Sequence, residues 1–232
     1  MTHDSTDITR LNKYLALQLG ISRREADELI EHGKVTINGK TADLGARVTP
    51  ADSVKLGTKE LNQKVKRIYV AFYKPIGYVC SRKQQGDSPT IYDIIPKKYH
   101  TLKTVGRLDR NSSGLIILSN DGDFAYHMTH PSFHKTKVYG VRLDKELEPL
   151  HQQMISDFGI QLDDGRSQLH LERLKDTDRT FWRVVMQEGR NRQIRRTFAA
   201  LGYEVTKLHR TTFGNYTIDG LQPGEFKEVA AS

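Results

Sequence analysis

The charge of this chain is balanced up to one point and unbalanced beyond it, and that break limits how many folding units to look for. Met1 to Leu56 carries eight basic residues, Arg10, Lys13, Arg23, Arg24, Lys34, Lys40, Arg47 and Lys55, against eight acids. The full 232 residues hold 36 Lys and Arg against 28 Asp and Glu, so the whole net charge of +8 lies beyond Leu56. This length suits one large domain or two small ones, and the change of balance points to two. A basic, cysteine-poor chain fits a polyanionic partner, nucleic acid first. The one cysteine, Cys80, excludes an internal disulfide framework and a multi-cysteine zinc site. The longest aliphatic run, Leu115 to Leu118, is far shorter than the ~20 residues of a membrane span. The polar start, Met1 to Asp7, lacks the apolar stretch of a signal peptide. A cytoplasmic protein is expected. No heptad or self-complementary apolar strip is visible, so a monomer is expected.

In the first region Leu11, Leu15 and Leu19 recur at one helical turn, predicting an amphipathic helix that stops at Gly20. Ser22-Arg-Arg-Glu25 is a capping-box pattern opening a second helix, with Ala26, Leu29 and Ile30 on its apolar face and Gly33 as its stop. Lys34 to Ile37 reads as a strand, Asn38-Gly39 as a hairpin turn, and Val54 with Leu56 as part of a later strand. Arg10 and Lys13 fall on the first helix and Arg23 and Arg24 open the second, which gives a neutral module one basic face. Ordinary solvated arginines would give the same spacing. Gly57 to Arg67 is polar and aperiodic, and is expected to be a linker.

The second region mixes strands with a few helices. Tyr69 to Tyr73, Leu115 to Leu118, Lys137 to Leu143, and a pair at Leu169 to Leu174 and Thr180 to Met186 read as strands. Phe124 to Thr129, Leu147 to Ile155 and Asn191 to Leu201 read as helices. Without regular strand–helix alternation the class is α+β rather than a doubly wound sheet.

Three segments could carry chemistry. In Arg107-Leu-Asp109-Arg110 a carboxylate stands between two cations that favour its ionised form; such a triplet is more often a surface ion pair. In Gly189 to Arg196 four arginines, 190, 192, 195 and 196, crowd the start of a helix, where both the backbone N–H groups and the guanidinium forks suit phosphate oxygens. His127, His130 and His134 have a spacing that could suggest a metal, but Pro131 breaks any helix between them, and no metal is expected. There is no phosphate-cradling Gly-rich loop, so no nucleotide cofactor is expected.

Two resemblances sharpen this. "RLNKYLALQLGISRREADELIEHGKVTINGK" resembles the S-four-like RNA-binding domain, which implies binding to structured RNA by shape and phosphate contacts. "GRLDRNSSGLIILSNDGD", "KPIGYVCS", "KVYGVRL" and "EGRNRQIRRTFAALGYEVTKLHRTTFG" together resemble, in order and spacing, the motifs of the RsuA/RluB/RluF type of ribosomal RNA pseudouridine synthase. That likeness runs from about Thr9 to Val229. The family's pattern often has threonine at Ser112 and tryptophan at Phe226. The resemblance implies an RNA-binding module at 1–56, a linker at 57–67 and a catalytic domain at 68–232 with a mixed, mainly antiparallel sheet flanked by helices. It implies Asp109 as catalytic carboxylate, Tyr139 as its aromatic partner, Arg195 as the arginine pairing with Asp109, and Leu208 as an apolar wall. Lys74 and Arg107 are expected in the substrate pocket. Arg10, Lys13, Arg23, Arg24, Lys34, Arg190, Arg192 and Arg196 are expected to bind RNA.

The implied reaction breaks the bond from base nitrogen to sugar carbon, turns the uracil and rejoins it through carbon 5. It is an isomerisation, so no cofactor is expected. Ribosomal RNA or a pre-ribosomal particle is the expected partner, with the large subunit favoured by the "RLNKY" and "GYEVTKL" segments. Three alternatives stay open: a small-subunit target, a non-catalytic RNA-binding or assembly protein, and a metal-dependent nuclease using Asp109 with Asp121 or Asp123.

Overall fold

A computed structural model describes residues 8–62, 65–82, 86–174 and 177–231. The polar start and Gln63 and Lys64 of the expected linker lie outside them. The chain forms two compact units: one runs to Ile68 and includes Asn120–Gly122, and the other holds Tyr69–Ser119 and Asp123 onward. No described helix is long and apolar enough to cross a membrane.

The first unit opens with β1 (Thr9–Arg10), α1 (Leu11–Leu19) and α2 (Arg23–Glu31). Gly20 ends α1 at φ 70°, where a side chain would be strained. The capping box at α2 is formed as expected: Glu25 N–H donates to Ser22 Oγ at 3.1 Å, and Ser22 N–H donates to Glu25 Oε2 at 2.6 Å. β2 (Val35–Ile37) turns back through Asn38 and Gly39, both at positive φ, into β3 (Lys40–Thr41). β4 (Arg47–Val48) pairs with β1, and β5 (Val54–Leu56) pairs with β2. Leu11 and Leu15 from α1, Ala26 and Ile30 from α2, and Val35, Val48 and Val54 from the strands close one small core.

The expected linker is ordered at its start. Lys59–Glu60 forms β6 on β5, and Leu61 donates its N–H to Val54 O at 2.8 Å and is buried in the same core. Two polar residues at a sheet edge followed by one leucine leave no periodic signal, so the segment reads as a linker although it completes the sheet.

The second unit is built on one sheet. Its strands in chain order are β7 (Tyr69–Lys74), β8 (Lys103–Val105), β9 (Ser113–Ser119), β10 (Lys137–Leu143), β13 (His170–Arg173), β14 (Phe181–Met186), β15 (Val205–Phe213), β16 (Tyr216–Thr217) and β17 (Phe226–Glu228). A separate hairpin, β11 (Ile160–Leu162) with β12 (Gly165–Ser167), precedes β13. The spatial order is β13-β14-β10-β15-β9-β7-β17, with β8 on β9 and β16 on β15. Every pair is antiparallel except β9 with β15. Among the described residues three α-helices accompany the sheet: α3 (Gly122–Thr129), α4 (Pro149–Gln153), which continues as a π turn to Phe158, and α5 (Gln193–Ala199). The α+β expectation holds, and β10 has the bounds that its alternation predicts.

β9 is buried along its whole length, as befits a strand with neighbours on both sides. At Gly114 the sheet tolerates no other residue: a Cβ there would stand 2.2 Å from Arg210 O, and φ is 113°. That close approach sets β9 against β15 at Ser113↔His209 and Gly114↔Arg210. Toward the β14 end of the sheet, fully buried Trp182 anchors a core with Val141, Val184 and Phe198, its indole N–H donating to Arg179 O at 2.7 Å.

Candidate active site

Asp109 sits in the turn between β8 and β9. Ser112 N–H donates to Asp109 O at 3.0 Å and closes the turn. The turn is held from below by the segment that ends β7. Lys74 Nζ donates to Ser112 O at 2.6 Å and to Pro75 O at 2.9 Å, and Gly77 N–H donates to Arg110 O at 2.8 Å. Leu108 N–H points at Cys80 Sγ, 3.5 Å away. Lys74 is wholly buried, and burial lowers its ammonium to a pKa of about 8, with Cys80 and Asp109 opposing the fall. The Lys-Pro-x-Gly segment therefore shapes the loop that presents Asp109. Lys74 is not among the residues lining the cleft, contrary to the expectation that it faces substrate.

The cleft above this turn has a volume of about 550 Å³. Asp109 opens into it with its side chain 37% exposed. Tyr139 on β10 and Leu208 on β15 line it, each nearly buried. The two strands lie side by side, Tyr139 opposite Arg210 and Val141 opposite Leu208. Arg107 is exposed and also lines the cleft. A carboxylate, an aromatic ring and an aliphatic wall thus face one space, drawn from three segments of the chain.

The arginines divide differently from the expectation. Arg192 is the ion-pair partner found for Asp109 among the described residues, with Nη1 3.5 Å from Oδ2. Neither flanking arginine, 107 or 110, makes the local pair that the triplet suggests. Arg195 turns its guanidinium to main-chain oxygens, donating to Val205 O at 2.5 Å and Asn111 O at 2.8 Å. Burial and the nearby charge of Arg192 lower the Arg195 pKa, while Asp109 and Glu204 oppose that. Arg195 thus holds the Asp109 turn through Asn111 and acts on the carboxylate at a distance. The expected helix from Asn191 begins only at Gln193, because Arg192 takes a left-handed conformation, φ 45°, at its N-cap.

A profile of the RNA pseudouridylate synthase family covers residues 68–200, and an S4 domain profile covers residues 9–54. The chain belongs to the RNA pseudouridylate synthase family. The synthase is 34% identical over 230 residues to an uncharacterized RNA pseudouridine synthase of Aquifex aeolicus, covering 95% of this chain and 92% of that one. It is 33% identical to the ribosomal large subunit pseudouridine synthase B of Bacillus subtilis, covering 95% and 91%. It is 34% identical to the ribosomal small subunit pseudouridine synthase A of Yersinia pestis, covering 95% and 94%. A crystal structure of a pseudouridylate synthase superposes with a TM-score of 0.67 at 30% identity, covering 96% of each chain.

The residues expected to bind RNA in the synthase fall into two sets. Arg10, Arg23, Arg24 and Lys34 are exposed, and no ion pair among the described residues includes them; Lys13 is half-buried on α1. Arg190 and Arg196 are instead tied down. Arg190 reaches Asp164 at 2.9 Å and Glu188 at 3.3 Å and donates to the main chain of the β11–β12 hairpin, and Arg196 pairs with Asp163 and Asp164 at 2.5 and 2.6 Å. Their charge is answered within the protein, and they brace the hairpin.

Two cleft residues escape sequence reasoning. Lys137 and Arg210 line the cleft from within its wall, 9% and 2% exposed. Lys137 donates to Gln187 O and Glu188 O at 3.4 and 3.1 Å, carrying the loop that leads to Arg192. Burial, with the charge of Arg210 second, lowers the Lys137 pKa. Each stands two residues along a strand from an expected site residue, Tyr139 and Leu208, and alternation along β10 is the signal that finds Lys137. Of the three histidines, His130 bonds Ser132 Oγ at 2.8 Å. Among the described residues no group of three His, Cys, Asp or Glu is placed to hold a metal ion.

Proposed function

We propose that the synthase isomerises one uridine of ribosomal RNA to pseudouridine, with Asp109 as the catalytic carboxylate. The observation that carries this reading is the convergence of Asp109, Tyr139 and Leu208 on one cleft. A uridine must leave its stack to enter such a space. The Tyr139 ring then supports one face of the uracil, Leu208 closes the apolar side, and the Asp109 side chain stands open to the sugar and base. Arg192 neutralises the carboxylate until substrate takes its place, and Arg195 fixes the turn. The exposed basic residues of the N-terminal module engage phosphates of structured RNA.

The relatives are named for both ribosomal subunits. The large subunit is the target favoured by the "RLNKY" and "GYEVTKL" segments, and the protein is taken to work as a cytoplasmic monomer. The test is tritium release from ribosomal RNA labelled at uracil carbon 5, taken from cells lacking the modification and assayed with chelator present. Wild type releases tritium, and Asp109→Asn binds the RNA with turnover at background. Equal release by both proteins removes Asp109 from the mechanism. Mapping the new pseudouridine in separated large and small subunit RNA decides the target. Tight binding without release from free RNA, subunits or precursor particles leaves a non-catalytic RNA-binding protein.

A further inference from the structure

A second surface carries side chains that the chemistry at Asp109 does not use. It lies where α3 ends and a 3-10 turn, Pro131–Phe133, begins. Tyr126, His127, His130 and Phe133 are all exposed there, Tyr126 at 52% and Phe133 at 38%. Their rings pack on one another. Phe133 stands edge-on to His127, with centroids 4.5 Å apart at 80°, and edge-on to Tyr126, at 5.7 Å and 82°. Tyr126 in turn tilts over His130 at 4.7 Å. Two residues of this same segment, Thr129 and Pro131, line the cleft that holds Asp109. The ring cluster therefore continues the rim of the cleft.

Four rings held together at the surface keep their apolar faces in water in the free protein. The chemistry of the cluster narrows what would cover it. It presents flat, polarisable faces and imidazole edges of the kind on which bases stack, and it adjoins the cleft that holds Asp109. When a uridine leaves its stack to reach Asp109, the nucleotides beside it lose a stacking neighbour. Bases in that state gain from an aromatic surface whatever their identity, because every base has a π-face. The mutual packing of the four rings fixes their orientation beforehand, which lowers the ordering cost of binding.

We propose that Tyr126, His127, His130 and Phe133 form a stacking platform for the unpaired nucleotides that flank the target uridine. The proposal rests on the cleft at Asp109 being the uridine site. It is tested on a protein-free stem-loop RNA containing the target, with 2-aminopurine placed beside the uridine. Wild type quenches the fluorescence of that base on binding. Tyr126→Ala with Phe133→Ala loses the quenching and raises Kd and KM about tenfold or more, with kcat close to wild type and an unchanged melting temperature. Phe133→Trp keeps the wild-type signal, and Phe133→Leu, apolar but without a ring, loses it. Quenching and KM unchanged in the double variant overturn the proposal. So does a loss restored equally by Leu and Trp, which marks simple packing. Normal handling of bare RNA with slower turnover on intact particles assigns the surface to a ribosomal protein instead. If wild type binds and quenches but releases no tritium from any RNA, the uridine-site reading fails while the platform stands.

Discussion

Arginine does opposite work in the two units. In the N-terminal unit Arg10, Arg23 and Arg24 project into solvent from ends of short elements whose apolar faces are already satisfied by the core beneath. In the catalytic unit Arg190 and Arg196 are locked to Asp163, Asp164, Glu188 and main-chain oxygens, and Arg195 to two carbonyls. An open arginine offers charge to a polyanion at little cost to the fold. A tied arginine spends that charge on holding a loop, and its removal takes the donor from several exposed or half-buried oxygens at once. Sequence clusters of arginine therefore do not by themselves mark an RNA surface: net charge counts both kinds alike, and only the placement of the acids separates them.

The contrast can be broken at three points. The largest effect is expected for Arg190→Ala, which strips donors from Asp164 O, Gly165 O and Arg166 O as well as two carboxylates. Stability should fall by about 2–3 kcal/mol in urea unfolding, as for loss of a partly buried network. A fall in RNA affinity with unaltered stability would place Arg190 with the open set. Next comes Arg23→Gln with Arg24→Gln. RNA affinity should weaken about tenfold at moderate salt, and the slope of log K against log salt should drop by about one per lost phosphate contact. The unfolding midpoint of this variant should stay within about 0.5 kcal/mol of wild type. A salt slope that does not change contradicts the phosphate role. The smallest effect is expected at Arg192, which is half exposed and holds Asp109 at a loose 3.5 Å. Arg192→Gln should leave the melting temperature unchanged and lower the salt slope by about one or less. A large loss of stability there would mean that its left-handed turn, rather than its charge, is what the loop needs.

What the sequence discloses follows the range of the interactions. In the N-terminal unit the Leu11 period, the Ser22–Glu25 box and Asn38-Gly39 all act within a few residues, and each forms as its pattern predicts. β10 is legible for the same reason, since alternation is a local signal. β15 is not: Val205 to Phe213 mixes buried and exposed residues irregularly, because bulges against β10 shift the register at Val138/Tyr139 and Arg142/Leu143. With β15 unread, Arg210 has no strand to place it beside Leu208. The pairing of Asp109 with Arg192 is invisible for a related reason. It depends on a left-handed residue that delays α5 by two positions, and arginine carries no propensity for that conformation. Lys74 is visible as a motif, while its position beneath the turn comes from burial that only the folded sheet creates.

The close crossing at Gly114 has a consequence in time as well as in space. It joins β9 to β15 across a separation of 96 residues, the span between Ser113 and His209, whose side chains meet at 2.9 Å. Loop-closure entropy makes such a contact slow to form compared with helix and hairpin contacts. Tyr139 and Asp109 are synthesised well before Leu208, so the cleft has no apolar wall until most of the chain has left the ribosome that made it. The N-terminal module, built from contacts between near neighbours, has no such delay. During synthesis the RNA-binding module is therefore complete before the cleft that holds Asp109, and turnover in a refolding experiment should lag behind the recovery of RNA binding.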